Sequence, residues 1–176
     1  MTLDVGQLHD QYADFVWRSL QRLGVPKGNL EDALQDVFIV VQRRLGSFEP
    51  TAKMSTWLFG ICLRVAAAHR RRAYHRREEQ VSEYGDRPDE NPLANPEQAA
   101  IRQEARRRLQ LGLEALELDR RAVFVMFEID RIPATAIAEM LDIPVGTVYS
   151  RLHRARADFN EAIARLERPL KMGGTQ

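Results

Sequence analysis

The chain has 176 residues with 44% hydrophobic residues, so it is long enough for one domain or two small ones with packed cores. Its formal net charge is only +1, which excludes a generic polycation, and its one cysteine, Cys62, excludes an intrachain disulfide and points to a reducing, cytoplasmic setting. The four histidines (His9, His69, His75, His153) show no metal-ligand spacing with Cys62, so no metal site is expected. The opening stretch MTLDVGQLHDQYADF lacks a basic start and an apolar run, so no signal peptide is expected. No stretch approaches the roughly 18 apolar residues of a membrane span, so no membrane insertion is expected either.

Apolar residues recur at spacings of three and four, and strand signals are almost absent, which predicts an all-α protein. A first helix is expected over Val5–Leu23, ending at GVPKGN. Asn29 stands where a cap should begin a second helix, with Glu31 and Asp32 in its first turn. Leu34, Val37, Phe38, Val41 and Leu45 form its apolar stripe; Asp32, Gln35, Asp36, Ile39 and Arg43 point away from that stripe. Ile39 among acids suits a partner-binding patch. An ordinary wet surface with one stray isoleucine fits as well.

After the loop GSFEPTAKM, the segment STWLFGICLRVAAAHRRRAYHRR reads as a third helix, apolar at its start and arginine-rich at its end. From Arg64 to Arg77 there are six arginines and no acid. Aromatics beside cations, here Phe48, Trp57 and Phe59 with Lys53 and the arginines, are what single-stranded nucleic acid needs: faces for stacking and charge along the backbone. Core packing is the competing reading for Trp57 and Phe59. Residues Glu78–Gln98 then carry seven acids against Arg87 alone, a local net charge of −6 (1 − 7). With three prolines and few apolar residues, this stretch reads as a flexible acidic linker.

Helix is expected to resume near Glu97 and run to about Leu118, followed by helices over Arg120–Ile129, Ala134–Leu141 and Val145–Leu166, with a frayed tail, PLKMGGTQ. The last two helices are separated by DIP. Asp142 tolerates a left-handed turn, and Pro144 suits a helix start. Two helices joined this tightly form a helix-turn-helix.

At about 100° per residue, Val145, Val148, Leu152, Ala155 and Phe159 fall on one side of the second helix. Gly146, Thr147, Tyr149, Ser150, His153 and Arg154 fall opposite, with Arg151 and Arg156 flanking the stripe. From Gly146 to Arg156 this outward face holds no acid; Asp158 comes only afterwards. Arginine can pair bidentately with guanine, serine and threonine serve either partner, and flanking arginines suit phosphate. A recognition helix of this kind enters the major groove by its N-terminal residues.

Taken together, LEDALQDVFIVV, STWLFGICLRVAAAHRRR and LDIPVGTVYSRLHRAR resemble a bacterial RNA polymerase sigma factor of the sigma-70 family, in its compact extracytoplasmic-function group. LEALELDRRAVFVMFEIDRIPATAIAEML is similar to that family's approach to its DNA reader, and the resemblance spans Tyr12 to Leu166. It implies an all-α protein of two small helical domains: a region 2 domain over 1–78 and a region 4 domain over 98–168. They would be joined by the linker 79–97 and followed by a tail, 169–176.

It also implies site residues. Asp32, Gln35, Asp36 and Ile39 would face the clamp of core polymerase. Phe48, Lys53, Ser55, Trp57, Arg64, Arg70, Arg71 and Arg72 would serve the −10 element. Thr147, Tyr149, Ser150, Arg151, His153 and Arg154 would serve the −35 element. The helices before the reader would dock on the polymerase flap, and an anti-sigma factor would be a further partner. No cofactor, metal or catalytic residue is implied.

Three positions depart from the family pattern. Arg64 stands where many relatives carry asparagine, Tyr149 where lysine or arginine is common, and Asp142 where glycine is usual. A self-contained helix-turn-helix regulator would lack a use for the acidic linker and the arginine-rich third helix. A helical adaptor would not need an acid-free outward face. An enzyme has no phosphate loop or nucleophile–base pair to support it.

Overall fold

The computed structural model describes residues 4–48, 53–76 and 96–167, and all regular structure among them is helical. The expected tail and nearly all of the expected linker lie outside these residues. The linker's last two positions do not: Pro96 and Glu97 already belong to a helix.

Three helices, α1 (Val5–Arg22), α2 (Leu30–Arg44) and α3 (Met54–Arg76), pack pairwise into an N-terminal bundle. Leu20, Val37 and Phe59, one from each helix, are fully buried at its centre. Burying each such side chain stabilises the fold by about 1.5–3 kcal/mol. Phe59 and Cys62 are therefore core, whereas Trp57 is only half-buried. Leu34 and Leu45, expected in the stripe of α2, lie at its edge and are half-buried.

The end of α1 follows from its sequence. Gly24 takes φ +85°, a left-handed conformation that costs glycine little. This lets Val25 N–H reach Leu20 O at 3.1 Å and Gly24 N–H reach Gln21 O at 2.9 Å, satisfying carbonyls that the helix end would orphan. Asn29 precedes α2 as expected, but its side chain makes no capping bond. A short 3-10 turn, Lys27–Asn29, has already rotated the chain into place, and Asn29 N–H bonds Pro26 O at 2.8 Å.

The C-terminal bundle comprises α4 (Pro96–Glu114), α5 (Leu118–Phe124), α6 (Ala134–Leu141) and α7 (Val145–Glu167). Helix α4 ends four residues before the expected Leu118, because the chain turns at Ala115–Glu117. α5 runs on into a wider π turn, Val125–Ile129, closed by Asp130 N–H to Val125 O at 3.0 Å. α7 packs on α4, α5 and α6. Its Phe159 stacks on Phe124 at 4.9 Å between ring centroids and fills the space left by Gly112 of α4, where any Cβ would collide with the ring.

The two bundles touch along a seam. Arg22 Nη1 meets Asp130 Oδ1 at 3.2 Å, and Met140 of α6 packs over Gly60 of α3. Arg121 of α5 is 2% exposed and lays its guanidinium against Gly24. Arg70 donates from Nη1 to Leu23 O at 3.1 Å on the same seam.

Candidate nucleic-acid interface

The turn between α6 and α7 repeats the closure found at Gly24. Asp142 takes φ 52° and ψ 51°, Ile143 N–H bonds Ala138 O at 3.0 Å, and Asp142 N–H bonds Glu139 O at 3.3 Å. Pro144 follows, and its carbonyl accepts from Thr147 N–H at 2.8 Å, opening α7. Ile137 and Ala138 of α6 are buried against α7, whose Val148, Leu152 and Ala155 face inward. This is the helix-turn-helix that the spacing predicts, with Asp142 in the left-handed position.

One member of the predicted inner side lies elsewhere. Val145 is 36% exposed: it is the first residue of α7, ahead of Val148, the first residue that the helix buries. Phe159, near the other end, is half-buried.

The cations of α7 divide into two sets. Arg151 Nη2 pairs with Asp119 at 3.0 Å, and Arg156 reaches Glu128 at 2.6 Å, so both bridge back to α5 and the π turn. His153 and Arg154 are exposed and hold no ion pair among the described residues. Tyr149 stands 55% exposed beside them, and Gly146 has open space in front of it. Ser150 is exposed with its hydroxyl donating to Thr147 O at 3.0 Å, and Thr147 is half-buried. The expected reading residues therefore share one solvent-facing surface, except that Thr147 is partly covered and Arg151 is tied to an acid. That pairing is invisible along the chain, since Asp119 lies 32 residues before Arg151.

In the N-terminal bundle, Phe48 and Trp57 meet edge to face at 5.3 Å. Lys53 is exposed and Ser55 half-buried, while residues 49–52 of the loop between Phe48 and Lys53 lie outside the described residues. Arg64, Arg71 and Arg72 are exposed. Arg70 is half-buried, with its guanidinium engaged by the Leu23 carbonyl. On α2, Asp32, Gln35 and Ile39 are exposed, Ile39 at 44%. Asp36 is more constrained: its Oδ2 accepts from His69 Nε2 at 2.8 Å, and His69 is itself buried. Helical spacing alone puts Asp36 on a free face. The structure ties it to α3.

Among the described residues no group of histidines, cysteines and acids could hold a metal ion, and no helix is long and apolar enough to cross a membrane. Cys62 is buried, and burial pushes its thiol well above the ordinary range.

The C-terminal bundle carries the helix-turn-helix of a DNA-binding protein, behind an N-terminal bundle of three helices. The family model for sigma-70 region 2 matches residues 8–76, and that for sigma-70 region 4 matches residues 106–159. The chain is 33% identical over 154 residues to the ECF RNA polymerase sigma-E factor of Escherichia coli strain K12, covering 83% of this chain and 78% of that protein. It is 32% identical over 160 residues to the ECF RNA polymerase sigma factor SigE of Mycolicibacterium smegmatis, covering 90% of this chain and 61% of that one.

Two solved structures share the fold. One is the sigma factor RpoE of Bartonella quintana in complex with the anti-sigma factor NepR: TM-score 0.67, 18% identity, covering 93% of this chain and 98% of that chain. The other is CnrH in complex with the cytosolic domain of CnrY: TM-score 0.63, 23% identity, covering 93% and 89%. The chain belongs to the extracytoplasmic-function group of the sigma-70 family of RNA polymerase sigma factors. As such it directs promoter-specific initiation of transcription.

Proposed function

We propose that α7 reads the −35 element through Tyr149, Ser150, His153 and Arg154, while the N-terminal bundle grips the −10 element. The observation that carries this reading is the division of cations on α7. Arg151 and Arg156 are held by acids of their own bundle, and among the described residues His153 and Arg154 face water without an ion pair, the nearby Asp158 being taken by Arg120. A surface helix built only for solubility would mix acids into that face. A helix built for base edges leaves its donors unpaired. Thr147 and Arg151 then support the reader from its edge.

In this reading Phe48 and Trp57 offer ring surface to an unstacked base, with Lys53, Ser55, Arg64, Arg71 and Arg72 close to the strand. Arg70 joins them once it leaves the Leu23 carbonyl. Asp32, Gln35 and Ile39, with Asp36 held by His69, face core polymerase. The working units are 1–78 and 98–168, joined by the acidic linker 79–97 and followed by the tail 169–176. The protein acts in the cytoplasm without catalysing a reaction itself, and an anti-sigma protein is its natural inhibitor. The sigma factor RpoE of Bartonella quintana was solved with an anti-sigma factor, which supports that last element.

The test is promoter-dependent transcription by core polymerase with this chain added. Arg154→Ala should reduce initiation at cognate promoters by an amount on the order of 1–3 kcal/mol in discrimination, centred on one −35 base pair. Equal loss at every promoter, whatever its −35 sequence, would assign Arg154 to phosphate. Absence of any initiation with wild-type chain would overturn the whole reading.

A further inference from the structure

Among the described residues of the N-terminal bundle, only Ser19 and His69 are polar and buried. The imidazole of His69, on α3, donates from Nε2 to Asp36 Oδ2 of α2 at 2.8 Å. The two ends of this bond differ in surroundings: the side chain of His69 is 6% exposed and that of Asp36 45%. The carboxylate is thus anchored from inside the bundle and open on its outer side.

Among the described residues no lysine or arginine pairs with Asp36. Arg70 follows His69 directly but turns to the Leu23 carbonyl at 3.1 Å, and Arg71 and Arg72 are exposed. An arginine on Asp36 would neutralise the carboxylate. A neutral imidazole N–H orients a carboxylate and leaves it its charge. Asp32 stands four residues before Asp36, on the same face of α2. Like charges at that spacing repel, so without the bond to His69 the Asp36 carboxylate would swing away toward water.

We infer that His69 is a positioning residue for docking on core polymerase: it holds the Asp36 carboxylate in one orientation, beside Gln35 and Ile39, for a basic side chain or an N–H group of core. A carboxylate fixed before docking loses less freedom when it docks. His69 is itself buried, so it acts through Asp36 alone. This deepens the reading of α2 as the core-facing surface and rests on it. It gives a part in partner binding to a side chain that does not touch the partner.

The test measures the affinity of the fluorescent full chain for core polymerase. Asp36→Ala should weaken binding about tenfold or more, as loss of a hydrogen-bonded charge does. His69→Leu should weaken it about fivefold or more, since the carboxylate remains but is no longer held. His69→Gln, whose amide N–H reaches the place of the imidazole Nε2–H, should bind within about twofold of wild type. In an Asp36→Ala background, His69→Leu should cost nothing further in affinity. In the free wild-type chain, the His69 Nε2–H proton should give a slowly exchanging NMR signal that is lost in Asp36→Ala.

Core affinity of His69→Leu equal to wild type overturns the inference. So does a loss of the same size in the Asp36→Ala background, or a glutamine variant no better than the leucine one. Either would reduce His69 to packing between α2 and α3. Should His69→Leu fail to fold, the other two readouts decide. Weak binding by His69→Gln, or an N–H signal indifferent to Asp36→Ala, then overturns the inference. If Asp36→Ala binds core as wild type does, the core-facing reading fails at Asp36 and the role of His69 falls with it.

Discussion

The guanidinium of Arg121, from the C-terminal bundle, occupies the space where Gly24 of the N-terminal bundle would carry a side chain. Two constraints meet at that glycine: its φ of +85° closes α1, and its missing Cβ admits the arginine. Burial, with Arg70 adding repulsion, pushes the Arg121 guanidinium down to about 10, Glu114 acting the other way. Among the described residues its Nε finds no hydrogen-bond partner.

Gly24→Ala should therefore destabilise the protein by more than the roughly 1–2 kcal/mol that a left-handed residue with a Cβ costs. In an Arg121→Ala background that backbone part should remain, with only the lesser crowding by Arg70 beside it. Urea unfolding of the four members of this cycle gives the coupling directly. Additive losses would mean that the arginine moves aside without cost.

The Arg22–Asp130 pair should show a pH signature. Burial raises the Asp130 carboxyl above its ordinary range, and Arg22 opposes that rise. Arg22→Met should raise it further, visible in a carboxyl titration by NMR. Above the folded value the carboxylate is buried without its partner, a loss on the order of 1–3 kcal/mol. Because the folded state then holds its proton more tightly than the unfolded chain, stability should fall as pH rises from the unfolded value to the raised folded one, then level off. The variant's deficit should thus be smallest in acid. A deficit independent of pH would show that Arg22 contributes packing alone.

Gly112→Ala should be costly even though alanine favours helix. The new methyl would strike the Phe159 ring, which is already stacked on Phe124 and cannot retreat freely. Overpacking of this kind typically costs about 1–3 kcal/mol. Thermal unfolding checks it, and Phe159→Leu in the same chain should recover part of the loss by making room.

Arg151→Ala and Arg154→Ala should separate cleanly. Loss of Arg151 removes the Asp119 bridge, a half-exposed pair, and should lower stability by no more than about 1 kcal/mol. Loss of Arg154 should leave the melting temperature unchanged and reduce −35 discrimination. Calorimetry and promoter-variant transcription on the same two proteins test both statements. Equal effects on discrimination would remove the distinction drawn between the two arginines.

The helix-turn-helix is legible in the sequence because its determinants are local. Asp142, Pro144 and the spacing of Val148, Leu152 and Ala155 all act within a few residues. Periodicity locates α2 and α3 for the same reason. What it misses depends on residues far apart in the chain. Asp36 and His69 are 33 positions apart, and Arg22 and Asp130 are 108 apart. Arg70 reads as a free cation because nothing in its neighbourhood announces the Leu23 carbonyl. Val145 fits the helical wheel yet is exposed, because a wheel describes the sides of a helix and not where along it burial begins.

The π turn at Val125–Ile129 acts as a phase shift. A regular helix advances about 100° per residue, so the wider turn rotates everything after it by roughly one residue's step relative to α5. Asp130 leaves that turn aimed at Arg22, and Arg131 then takes φ 56° to redirect the chain into α6. A chain one residue shorter in this stretch would keep its apolar pattern and close a regular helix, but its carboxylate would point away from the other bundle. The angular offset of one turn thus sets whether the two bundles share an ion pair.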